Sequence, residues 1–219
     1  VEGLKKSLAG VAEILDGGSS SLTEAQRLQL STVRATLQGL STMPLAVMDK
    51  QRAESLLDLQ GVVRELIGEM QPEAARIGIQ LDIEAGHALP HFQADKRRVT
   101  QVVEALVNAS AHRVGTGKVR VRVDGFSISA GRAEGISLPP EVSLEDGEWA
   151  AVTLADAGPP LPADQIRALT SPKPDPTAGQ FGPGLTIGET RMVAESLGGM
   201  LWYVQAQGTT RLTFALPVA

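Results

Sequence analysis

The chain has 219 residues, 42% hydrophobic and 21% charged, enough for one ordinary domain with a true core and a smaller companion. Its 20 Lys and Arg stand against 25 Asp and Glu, a net charge of -5, and no basic run can follow a phosphate backbone, so nucleic acid is not an expected partner. It has no cysteine, which excludes disulfides, thiol catalysis and Cys-ligated zinc, and His87, His91 and His112 lack the spacing of a metal site.

No apolar run approaches the length of a membrane span. The start VEGLKKSLAG is neither a signal peptide nor an initiator Met, so a fragment of a longer protein is expected. Leu4, Leu8, Val11 and Leu15 line one face of a helix that ends at Asp16-Gly17-Gly18. Ser21 with Glu24 forms a capping box that restarts a helix, in which Leu30, Val33, Leu37, Leu40, Pro44 and Val47 keep a coiled-coil seam. Two helices with such narrow seams bury themselves poorly alone. Residues 1–52 are therefore expected to form a hairpin that builds a dimeric four-helix bundle, the alternative being a helical subdomain packed within one chain.

From residue 53 the texture is mixed. AESLLDLQ reads as a short strand or linker, GVVRELIGEMQPEAARIG as a helix with Val63, Leu66, Ile67 and Met70 inward, and IQLDIEA as a strand. A second helix, ADKRRVTQVVEALVNASAHR, precedes the strictly alternating strand KVRVRVDG. FSISAGRAEGISLPPEVSLEDGE reads as a hairpin or loop insertion, and WAAVTLADA as a strand. GPPLPADQIRALTSPKPDPTAGQFGPG is expected to be largely loop. The helix LTIGETRMVAESLGG and the strands MLWYVQAQ and TTRLTFALPV complete the pattern, an α+β sandwich with helices on one face of a mostly antiparallel sheet.

This order resembles the core of a sensor histidine kinase: a dimerisation hairpin followed by an ATP-binding domain of the Bergerat-fold superfamily. The resemblance covers nearly the whole chain, with local echoes in LTEAQRLQL, ARIGIQLDIEA, DKRRVTQVV, ESLGGMLWYV and GTTRLTFALP. It implies a hairpin domain at 1–52 and a histidine kinase-like ATPase domain at 53–219. ATP and magnesium are the implied ligands, in a cytoplasmic module of bacterial two-component signalling.

The resemblance also assigns roles to residues. Two amides four apart on the nucleotide helix orient magnesium, which needs oxygen ligands in near-octahedral geometry. Without a gap, those positions fall at Ala105 and Ala109, with Asn108 about 100° away around the helix. A shifted register would instead use Asn108 with Glu104, similar to the Glu-x-x-x-Asn of the chaperone and mismatch-repair branches, but it disturbs the apolar frame Val99, Val102, Val103, Leu106. The adenine box Asp-x-Gly-x-Gly reads D-A-G-P-P, keeping Asp156 and Gly158 and placing Pro160 where a glycine belongs; Asp156 either accepts a base amino group or serves a strand-end turn. The second glycine box keeps Gly182 and Gly184 but has Thr186 for its third glycine, and the lid ahead of it lacks the family's aromatic pair. No His precedes His87, and the family pattern would place the phosphoacceptor about two residues before Val1, ahead of an unusual Lys5-Lys6.

Three altered boxes imply loss of nucleotide turnover, because phosphoryl transfer rests on positioning and charge neutralisation. The implied function is that of a degenerate kinase-like module, a homodimer through residues 1–52 that contacts a response-regulator receiver domain or a partner kinase. An active divergent kinase with its His before Val1, an ATP-independent histidine phosphotransfer protein and a purely structural dimerisation module are the alternatives.

Overall fold

The computed structural model describes residues 54–84, 86, 87, 89, 91–179 and 184–218. The expected hairpin of residues 1–52 lies outside them, as does Gly182. The chain divides at Arg52 and Ala53 into two units, and every element below belongs to the second.

The elements run β1 (Glu54–Leu57), α1 (Leu59–Arg76), β2 (Ile79–Glu84), β3 (Phe92–Asp95), α2 (Lys96–Val114), β4 (Gly117–Ser129), β5 (Arg132–Glu134), β6 (Gly147–Asp156), α3 (Ala163–Thr170), α4 (Ile187–Ser196), β7 (Met200–Ala206) and β8 (Thr209–Pro217). The main sheet has the order β2-β4-β6-β8-β7, with β5 hung on β4. β2 runs parallel to β4 and the other pairs are antiparallel. β1 and β3 form a separate two-stranded ribbon.

Alternation sorts the sheet into two faces. Val119, Val121 and Val123 of β4, Val152 and Leu154 of β6, and Leu212 and Phe214 of β8 belong to one core with α1, α2 and α4. The helices bring Val63, Leu66 and Ile67 from α1, Val99, Val102, Val103 and Leu106 from α2, and Ile187 and Ala194 from α4. The starts of α1 and α2 are set locally. Asp58 accepts from the Gly61 N–H and Asp95 from the Arg97 and Arg98 N–H groups, satisfying donors that the first turn leaves open. Gly115, at φ 70°, ends α2 in a conformation that disfavours a side chain.

The α+β class and the placement of α1, α2 and α4 agree with expectation, and three details differ. FQAD forms β3, because β1 supplies an antiparallel partner that local pattern does not reveal. FSIS continues β4, since β6 pairs with it as far as Ile128 opposite Gly147. The Pro- and Gly-rich segment contains the eight-residue helix α3. Its C-terminal carbonyls are capped from another element: Arg191 of α4 donates to the Ala168 and Ser171 oxygens at 3.3 and 2.6 Å. A guanidinium there also complements the helix dipole.

Candidate functional site

Of the residues singled out in the sequence, Asp156 and Gly158 meet at the end of β6, beside Arg113 of α2. α2 carries Ala105, Ala109 and Arg113 at four-residue spacing, a stripe that drifts only about 40° per step. Ala105 and Ala109 are buried, and their methyl groups offer no ligand atom to a cation. Glu104 is exposed and Asn108 half-buried. Asn108 lies about 100° from Ala109 around the helix, off the stripe that leads to Arg113.

Asp156 ends β6 on the helix side of the sheet, where the antiparallel ladder sets it opposite Thr210. Its Oδ1 accepts the Gly158 N–H at 2.8 Å, and its Oδ2 accepts from Nη2 of Arg113. Both charged side chains are buried, at 8% exposure for Arg113 and 1% for Asp156. Burial pulls the Arg113 guanidinium below the ordinary arginine value, against the opposing pull of the Asp156 carboxylate. Nε and Nη1 of Arg113 and Oγ1 of Thr210 are buried without a protein partner. Gly158 sits close to both: a Cβ there would meet Asp156 Oδ1 at 3.0 Å and Arg113 Cγ at 3.2 Å, so either side chain would have to give.

The start of α4 follows the second glycine box. A helix N-terminus binds anions because its first N–H groups point outward unpaired. Here they are taken. Ile187 N–H donates to the Gly179 carbonyl at 2.8 Å, Gly188 N–H to Ala178 at 3.2 Å, and Glu189 N–H to Oγ1 of Thr186 at 3.1 Å. Thr186 and Glu189 complete a reciprocal capping box, with Glu189 Oε2 accepting from the Thr186 N–H at 2.9 Å. The carboxylate therefore already occupies the electropositive end. Thr186 Oγ1 also donates to the Pro176 carbonyl at 2.6 Å, so residues 176–179 are strapped to the helix. The strap depends on Gly188, whose Cβ would stand 1.6 Å from the Asp175 carbonyl oxygen. Thr177 holds that turn through two hydrogen bonds to the Asp175 carboxylate, which depress its pKa.

Tested against magnesium-ATP, these groups fit poorly. Alanine methyls stand where the ungapped family register expects amides, Asp156 has an internal cation, and the helix N–H groups have internal acceptors. Among the described residues no group of three or more His, Asp and Glu is placed to hold a metal, and no helix is long and apolar enough to cross a membrane. Gly184, at φ 106°, is open around its α-carbon. Of the residues expected from the sequence, Asp156 and Gly158 lie against Arg113, and neither Arg113 nor the strap is among those expected. The capping box was legible as T-I-G-E, a Thr with Glu three residues on; the partner of Arg113 was not, because it lies 43 residues away.

A family model described as "Histidine kinase-, DNA gyrase B-, and HSP90-like ATPase" matches residues 94–219. The adaptive-response sensory kinase SasA of Prochlorococcus marinus (strain MIT 9303) is 26% identical over 153 residues, covering 68% of this chain and 36% of that protein. The chain thus spans about a third of the length of the curated relative it matches. Among solved structures, full-length ShkA in complex with AMPPNP superposes with a TM-score of 0.62 at 19% identity, over 100% of this chain and 46% of that one. The histidine kinase ThkA, solved in complex with the response regulator protein TrrA, gives 0.54 at 16% identity, over 99% and 60%. At these identities the structural likeness concerns the fold.

Proposed function

The chain belongs to the histidine kinase-, DNA gyrase B- and HSP90-like ATPase family, with an ATPase domain of the histidine-kinase type, and on that premise we propose that it is a kinase-like signalling module with an impaired nucleotide site. The observation that carries this reading is the buried pair of Arg113 and Asp156. In the family resemblance the carboxylate accepts the adenine amino group; here a base must displace a guanidinium that would be left buried with no counter-charge, a cost of several kcal/mol. Ala105 and Ala109 in the amide positions and the capped start of α4 support the same conclusion at the metal and the phosphates.

Signalling then runs through protein contacts. Residues 1–52 serve as a dimerisation hairpin, and a response-regulator receiver domain is the proposed partner, a reading supported by the ThkA–TrrA complex of similar fold. Titration of the 219-residue chain with magnesium-ATP by calorimetry, with a thermal-shift readout, tests the impaired site. Neither heat nor shift is expected at millimolar nucleotide. A dissociation constant in the micromolar to low-millimolar range overturns the reading and restores Asp156 and Asn108 as nucleotide ligands.

A further inference from the structure

The insertion after β4 builds something the nucleotide reading does not use. β5 pairs with the end of β4, and residues 135–146 return across the outer face of the sheet, away from the helices. Ile136, Leu138, Val142 and Leu144 pack there on Phe126, Trp149, Trp202 and Ala215. The cover is pinned at its C-terminal end. Asp146 accepts from the Ala130 and Gly131 N–H groups at 3.0 and 3.1 Å, and Trp149 Nε1 donates to the Glu145 carbonyl at 3.1 Å.

Where this cover stops, a cavity of about 340 Å³ opens on the outer face. That volume lies in the usual range for small-molecule sites. Strand register explains its lining: Arg122 pairs with Thr153, Thr153 with Thr213, and Thr213 with Trp202, so one rung carries a guanidinium, two hydroxyls and an indole in a row. The two hydroxyls lie 3.2 Å apart. Phe126, Ile136 and the buried Trp202 add apolar wall, and Arg211 stands two residues along β8 from Thr213 on the same face. Arg122 is neutralised by Asp124, which also accepts the His87 N–H at 2.9 Å. Arg211 has no acidic partner among the described residues, so it is the uncompensated charge of the cavity.

The geometry points to a second binding site on the outer face, for a small organic anion with a flat apolar body: the body against Trp202, Phe126 and Ile136, the carboxylate or phosphate on Arg211, with the Thr213 hydroxyl donating to it while Thr153 donates to Thr213. It is separate from the Arg113–Asp156 site, since the two open on opposite faces of the sheet, and it stands whether or not nucleotide binds.

The test uses 4-fluorobenzoate as probe with the 219-residue chain, read by fluorine NMR of the ligand and by tryptophan fluorescence, both tryptophans lying in the covered cluster. Saturable binding is expected with a dissociation constant on the order of 1 mM, the affinity typical of about ten heavy atoms. Arg211→Gln and Thr213→Val each weaken it by roughly tenfold, the loss of one charge-assisted or buried hydrogen bond. Arg120→Gln, on the same face but outside the cavity, leaves it unchanged. Thermal unfolding identifies any variant that fails to fold, and exposed Arg211 serves as the decisive site. Absence of saturation up to about 10 mM, tenfold above the expectation, overturns the site. Equal binding of 4-fluorobenzamide, or an unaltered Arg211→Gln, overturns its anion selectivity.

Discussion

Arg113, in the last turn of α2, donates through Nη2 to Asp156 at the end of β6, and the pair buries both charges. Removing one partner from such a pair leaves an uncompensated buried charge, whereas replacing both with apolar groups of similar volume is close to neutral. Arg113→Met alone is expected to destabilise by ~3 kcal/mol, and Arg113→Met with Asp156→Leu by under ~1 kcal/mol. Urea unfolding of the two variants decides; a double variant that loses as much as Arg113→Met would mean that a stranded Asp156 charge is not the source of the loss.

Reopening Asp156 is not expected to restore nucleotide binding by itself. Arg113→Tyr frees the carboxylate but leaves Ala105 and Ala109 without metal ligands and the α4 N–H groups capped. The variant should remain silent toward magnesium-ATP in calorimetry. Binding in the micromolar range would show that Arg113 alone keeps the base out.

The strap across α4 predicts a graded series. Thr186→Ser keeps the cap and should be near neutral, while Thr186→Ala loses it at a cost of about 1 kcal/mol. Gly188→Ala forces a methyl onto the Asp175 carbonyl and should cost about 1 to 3 kcal/mol, with faster hydrogen exchange over 175–190. An unperturbed Gly188→Ala would exclude the close approach.

Acid sensitivity should arise in part at Asp124. Burial pushes its carboxyl up, but hydrogen bonds from the His87 N–H and the Arg122 guanidinium outweigh that, and its folded pKa falls below the ordinary 3.8. The unfolded chain then binds more protons in that window, so this contribution is fully present above the unfolded value and is lost as the pH falls through the folded one. Asp124→Asn should flatten the dependence of the urea midpoint on pH below about pH 5. A slope identical to that of the parent would remove Asp124 from the account.

Asn108, half-buried and off the Arg113 stripe, has no proposed ligand role. Asn108→Ala should change stability by no more than about 0.5 kcal/mol and leave the response to magnesium-ATP unaltered. A nucleotide response present in the parent and lost in this variant would reinstate the shifted register with Glu104.

The residue pattern alone determined the class of the domain. Period-two runs such as KVRVRVDG and the apolar frame Val99, Val102, Val103, Leu106 each encode an element and its buried face within a few residues, because one turn or one pleat repeats at that distance. The alanines at 105 and 109 and the D-A-G-P-P box were equally legible. Tertiary structure decided what those departures do. Arg113 meets Asp156 across 43 residues, the carbonyls of 178 and 179 reach the start of α4, and Arg122, Thr153, Thr213 and Trp202 align only when four strands pair in register. Local preference fixes an element through neighbours in the chain, but a buried charge or an open N–H is satisfied by whatever the folded topology brings within hydrogen-bond reach.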